Sequence, residues 1–121
     1  MKNILILCFT LFASSMIIAQ EKSDKKNIET SFEVKGVCEM CKKRIESAAM
    51  RTSGVKMAEW NEETQQLKVV YKNGKTTEQE IHQAVANYGH ETPLVPADSS
   101  AYTKLPDCCR YKDGAKCGQK K

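Results

Sequence analysis

Proline occurs three times, glycine six times and tryptophan once in 121 residues, and no long Ser-Gly or Pro-rich linker and no internal repeat breaks the chain. An excess of one charge is also lacking. Nineteen Lys and Arg against fifteen Asp and Glu leave +4, without the dense basic stripe of a nucleic-acid binder. There are only two histidines, and no paired buried carboxylate or Cys-His-Asn set is arranged for acid-base or nucleophilic chemistry, so no catalysis is expected. Long apolar runs are confined to Ile4 through Ile18, about 15 residues against the ~20 a membrane span needs.

That run follows the short basic start Met1-Lys2-Asn3 and precedes the small residues Ser14, Ser15 and Ala19, then the charges Glu21, Lys22, Asp24, Lys25 and Lys26. The pattern reads as a signal peptide over residues 1–19, cleaved before Gln20, with a retained membrane anchor as the alternative. Cys8 follows Leu7, where lipid attachment calls for a small residue, and belongs to the signal's apolar core. Removing residues 1–19 from the 121 leaves 102 at formal charge +3, enough for one modest core and without a stable membrane span. The expected location is periplasmic or extracellular.

Five cysteines remain: Cys38, Cys41, Cys108, Cys109 and Cys117. An exported chain meets oxidising conditions, yet an odd count leaves one thiol free, paired between chains or on a metal. Cys38 and Cys41 stand in Gly36-Val-Cys-Glu-Met-Cys-Lys-Lys-Arg-Ile45, where an extended segment passes into a helix starting near Cys41. The positive end of a helix favours thiolate over thiol, and two thiolates three residues apart can grip one soft cation. Sulfur donors select Cu(I), Zn(II) and their heavier relatives. Lys42, Lys43 and Arg44 offset a bis-thiolate's negative charge and suit an acidic partner surface; an ordinary solvated helix face accounts for them as well.

Residues 20–28 form a charged, disordered lead-in. From Thr30 the chain alternates, with Phe32 and Val34 on one face of a strand. Cys41, Ile45, Ala48, Ala49 and Thr52 recur at helical spacing until Ser53-Gly54. Strands over 55–60 and 66–71 flank a polar turn, with Trp60 and Met57 as sheet packing. Asn73-Gly74 turns the chain, Thr77 and Glu80 make a capping box, and Ile81, Ala84, Val85 and Tyr88 give a second helix with His82 on its polar flank. His90 to Val95 reads as a short edge strand limited by Pro93. The fold class is α+β: a ferredoxin-like βαββαβ sandwich with a four-stranded antiparallel sheet and both helices on one face. The domain spans residues 29–96, and 97–121 is a polar, Cys-containing tail.

This order, with Cys-x-x-Cys in its first loop, resembles the heavy-metal-associated domain family: small copper chaperones, N-terminal domains of copper-transporting ATPases and periplasmic mercury-binding proteins. The likeness covers Glu29 to about Val95. Ile45 four residues after Cys41, Gly54-Val55 before the second strand, Tyr71 and Tyr88-Gly89-His90 all match it. Two departures stand out. Gly36-Val37 runs straight into Cys38 where the family has Gly-Met-x-Cys, and Met40 replaces a small or polar residue. Together with the signal peptide, the resemblance implies an exported protein that captures a soft ion, Cu(I) first and Hg(II) or Zn(II) next, and passes it to a metal-transporting ATPase or another thiol-bearing acceptor. It also places His90 beside the metal loop as a candidate extra ligand.

The competing readings are a thiol-disulfide oxidoreductase or a structural disulfide at Cys38 and Cys41, and a sensor or interaction module of the cell envelope. In the tail, Cys117 lies eight residues beyond Cys109 across the turn Asp113-Gly114. A disulfide from Cys108 or Cys109 to Cys117 is one expectation. The other is that Cys108, Cys109 and Cys117 form a second soft-metal site or a lid over Cys38 and Cys41. The 12 steps from Pro96 to Cys108 give a reach of about 20 Å, enough to visit that loop.

Overall fold

Alternating apolar side chains dictate a sheet with one buried face, and the computed structural model, which describes residues 26–114, shows how its rows align. Strand β1 (Asn27–Glu33) and strand β2 (Val55–Trp60) both pair antiparallel with strand β3 (Gln66–Lys72), giving the order β1-β3-β2. Phe32, Leu67 and Trp60 fall in one cross-strand row, Thr30, Val69 and Ala58 in the next, and Ile28, Tyr71 and Val55 in the third. A one-residue slip would turn all of these to solvent, so burial sets the register.

Helix α1 (Glu39–Met50) buries Cys41, Ile45, Ala48 and Ala49, a stripe at one-turn spacing, against β2 and helix α2 (Glu78–Asn87). Thr77 caps α2 with both halves of a capping box: its hydroxyl accepts from Glu80 N at 3.2 Å, and the Glu80 carboxylate accepts from Thr77 N at 3.1 Å. Gly54, at φ +90°, lets the chain leave α1 close beside Lys75, whose Cβ would stand 2.5 Å from any Cβ placed there. Ile45, Leu67, Val69, Ile81 and Val85 are fully buried in one core. Each contributes about 1.5–3 kcal/mol on burial.

The structure revises the sequence expectation in several places. Strand β1 begins at Asn27, inside the stretch assigned to the lead-in, and α1 begins at Glu39, two residues before Cys41. No fourth strand forms among the described residues. Lys35 N donates to Glu91 O at 3.0 Å, but the carbonyl of Lys35, which a ladder would use next, lies 2.8 Å from His90 Nδ1. Thr92 then closes a turn on Val95, with Thr92 N donating to Val95 O and Val95 N to the Thr92 hydroxyl, both at 3.1 Å. Pro93 inside that turn has no N–H to extend a ladder.

Residues 97–114 fold back on the domain. They form helix α3 (Ser99–Thr103) and 3-10 turns at Asp107–Cys109 and Tyr111–Asp113. Leu105 and Cys109 join the core made by the sheet and α1. Among the described residues, no helix is long and apolar enough to cross a membrane. The expected signal peptide, Cys8 and Cys117 lie outside the described residues.

Candidate metal-binding site

Trp60 shapes the loop that carries the two motif cysteines. Its indole N–H donates to Val34 O at 3.1 Å, and its ring lies so near Gly36 that a Cβ there would stand 2.9 Å from Cζ2 and 3.1 Å from Cys41 Cβ. Glycine is therefore required at residue 36 by close approach. Gln65, the residue between β2 and β3 that takes a left-handed φ of 58°, fixes the same loop from the other side. Its carbonyl accepts from Val34 N at 2.8 Å and its amide donates to Gly36 O at 2.6 Å.

Cys38 is the N-cap of α1, extended at φ −155° and ψ −174°, and its carbonyl accepts from Lys42 N at 2.9 Å. Its side chain makes no capping bond, so the sulfur is not committed to the helix end. Cys41 sits three residues on, within the first turn and fully buried. Both sulfurs stand where the helix dipole stabilises negative charge. The two do not pair with each other: Cys41 is a free thiol, while Cys38 is a half-cystine whose partner lies outside the described residues.

Lys42 turns away from the sulfurs, donating to Trp60 O at 2.9 Å and pairing with Glu46 at 3.1 Å. Lys43 is exposed and Arg44 is half-buried. Sequence reasoning offers the tail as a lid over this loop but misses the side chains that fasten it. Tyr111 hydroxyl donates to Gly89 O at 2.8 Å and accepts from Glu91 N at 2.9 Å. Arg110 donates to Thr103 O at 3.0 Å, and Tyr102 packs edge-on to Tyr111 with ring centres 5.3 Å apart. These anchors bring Cys109 into the same buried core cluster as Cys41. Burial first, then Cys41 and Cys108, push the Cys109 thiol well up. Cys108 Sγ stands 4.0 Å from Cys109 Sγ and 3.5 Å from Met40 Sδ. Cys109 is a thiol buried in the core, and the Cys117 end of the expected hairpin disulfide lies outside the described residues. Tyr102, Leu105, Cys109 and Tyr111 recurring through an otherwise polar tail were the signal for this packing.

His90 is fully buried. Its ring stacks on Tyr111 at 5.8 Å, and Nε2 has no hydrogen-bond partner among the described residues. Burial holds the imidazole down at about 4, opposed by the Lys35 carbonyl and assisted by Arg44. His82 also faces inward, not along the polar flank: Nδ1 lies 2.6 Å from the Thr92 hydroxyl and the ring stacks on Phe32 at 3.7 Å. As they stand, no three His, Cys, Asp or Glu side chains among the described residues are grouped to hold an ion.

The heavy-metal-associated domain model matches residues 31–91. The CopZ metallochaperone shares 29% identity, with 54% of this chain aligned to 98% of that one at a TM-score of 0.52. Oxidised MerP from Ralstonia metallidurans CH34 shares 25%, over 55% of this chain and 93% of its own, also at 0.52. The water-soluble region of the P-type ATPase CopA from Bacillus subtilis shares 28% at 0.51, over 55% of this chain but only 44% of its own. None of the curated proteins matches the chain. With the matched segment running from β1 through both helices and enclosing the Cys-x-x-Cys loop, the chain belongs to the heavy-metal-associated domain family.

Proposed function

We propose that this chain binds a soft metal ion through Cys38 and Cys41 and transfers it to a thiol-bearing acceptor, with Cu(I) as the favoured cargo and Hg(II) or Zn(II) as the next candidates. The observation that carries the reading is the placement of both sulfurs at the N-terminal turn of α1, on a loop fixed by Trp60 and Gln65. The likeness to the CopZ metallochaperone and to the P-type ATPase CopA supports it.

Binding starts from the reduced state, with the Cys38 disulfide opened. Each thiol then loses its proton to solvent as the ion enters, and soft sulfur donors favour Cu(I). Cys38, in extended backbone at the helix cap, releases first, while Cys41 is held by the helix and the core. An acceptor's thiolates enter one at a time through a three-coordinate intermediate. A metal-transporting ATPase domain is the acceptor class, in an exported setting. The chain performs no catalysis in this scheme.

The test is Cu(I) competition against a chromophoric chelator, on reduced, anaerobic protein lacking only residues 1–19. Sub-micromolar affinity supports the reading, and failure of both Cu(I) and Hg(II) to bind at that level refutes it. A second reading, thiol-disulfide exchange, draws on the half-cystine state of Cys38. It requires a reduction potential well above about −200 mV.

A further inference from the structure

We propose that the C-terminal turn builds a second sulfur-donor set on Cys41, which holds one Cu(I)-class ion while Cys38 is engaged in its disulfide. The inference rests on the soft-metal reading above and goes beyond it in assigning the donors. Cys41 is shared. Its motif partner, Cys38, is a half-cystine, whereas Cys109, 68 positions further along the sequence, is brought into the same buried cluster by the packing of the 3-10 turn at Asp107–Cys109 on α1.

The spacing of Cys108 and Cys109 suits an ion. Two sulfurs each about 2.3 Å from a metal stand roughly 4 Å apart at a trigonal angle, and Cys108 Sγ is 4.0 Å from Cys109 Sγ. Met40 Sδ, 3.5 Å from Cys108 Sγ, adds a thioether at the rim, a soft and uncharged donor. Met40 is 47% exposed, so entry is from the solvent side of this set. No three donors are yet grouped around a point among the described residues. The set therefore closes by side-chain rotation of Cys41 and Cys108 as the ion enters. Three S–H bonds break, three protons pass to solvent, and Cu(I) with three thiolates forms a complex of charge 2−. No electron transfer is involved.

The experiment uses the Cys38→Ser protein lacking only residues 1–19, reduced and anaerobic, with Cu(I) as probe. Chelator competition is expected to show one Cu(I) held within about tenfold of the unmodified affinity, and X-ray absorption close to three sulfur neighbours. Adding Cys108→Ser, at a half-buried site and with the fold checked by circular dichroism, is expected to weaken binding by at least about tenfold and reduce the count to two. Cys109→Ala removes the buried donor, with circular dichroism as the fold control. The proposal is overturned if the Cys38→Ser protein loses its Cu(I), or if Cys108→Ser leaves both affinity and sulfur count unchanged. If the unmodified protein itself binds neither Cu(I) nor Hg(II), the proposed function fails and this inference with it. If the unmodified protein binds and Cys38→Ser does not, only this inference fails.

Discussion

The segment from β1 through α2 and the segment that follows it are held by different kinds of contact. The first is a repeating structure: two antiparallel ladders on β3, two helices with buried stripes, and rows of apolar side chains that fill one core. The second, from Tyr88 to Gly114, contains no strand and one five-residue helix with no buried residue. It is fastened at points: Leu105 and Cys109 in the core, Tyr111 on Gly89 and Glu91, Arg110 on Thr103. A segment with no core of its own thus becomes part of a domain by lending a few anchors to an existing core. Such a segment also opens at lower cost than the ladders do. That asymmetry places the Cys38–Cys41 loop on rigid elements and its cover on a releasable one.

The sharpest way to break the comparison is a matched pair of core truncations. Leu67→Ala, in the central strand, should cost about 2–5 kcal/mol in global stability. Leu105→Ala, 2% exposed but in the point-fastened segment, should cost less globally and instead release residues 97–114. Urea denaturation with hydrogen exchange distinguishes them. Equal global losses, with protection unchanged in the C-terminal segment, would show that the two regions unfold as one.

His90 joins the two regions, bonded to Lys35 in one and stacked on Tyr111 in the other. Its folded value, about 4, lies below the ordinary 6.5, so the unfolded chain binds the proton more readily. Stability from neutral His90 is therefore present above about pH 6.5 and is lost as pH falls toward 4, with a full effect of roughly 3 kcal/mol. His82, also depressed by burial, adds in the same direction. Replacing His90 by Gln should flatten part of this acid loss in chemical denaturation at pH 7 and pH 4.5. An unchanged slope would remove His90 from the account.

A smaller effect is expected at Thr77→Ala, which deletes the α2 cap. It should cost about 0.5–2 kcal/mol and leave the C-terminal anchors in place. Thermal unfolding measures the loss, and proteolysis of the C-terminal segment should not accelerate.

Much of the repeating region is legible because period and punctuation agree there. Val55–Trp60 is bounded as the alternation predicts, and Thr77 with Glu80 marks the start of α2. The motif loop is legible from Gly36, Cys38 and Cys41. His90 to Val95 looks like a strand by composition, but the imidazole and the Thr92 hydroxyl take the backbone partners that a strand needs. The burial of His82 and His90 is hidden because each is satisfied or stacked by a residue distant in sequence or in type. The C-terminal segment is the least legible part. Its anchors are single residues without period, and their value depends on a core built elsewhere.

Cys41 carries the central claim, since it belongs to the motif pair and shares a buried cluster with Leu105 and Cys109 of the covering segment. The most direct measurement is Cu(I) competition on reduced, anaerobic protein with and without Cys41→Ala, each checked for fold by circular dichroism. The account predicts sub-micromolar binding by the unmodified protein and a loss of at least about 100-fold, close to 3 kcal/mol, in a folded variant. Equal affinity in the two proteins, or no binding in either, would contradict it.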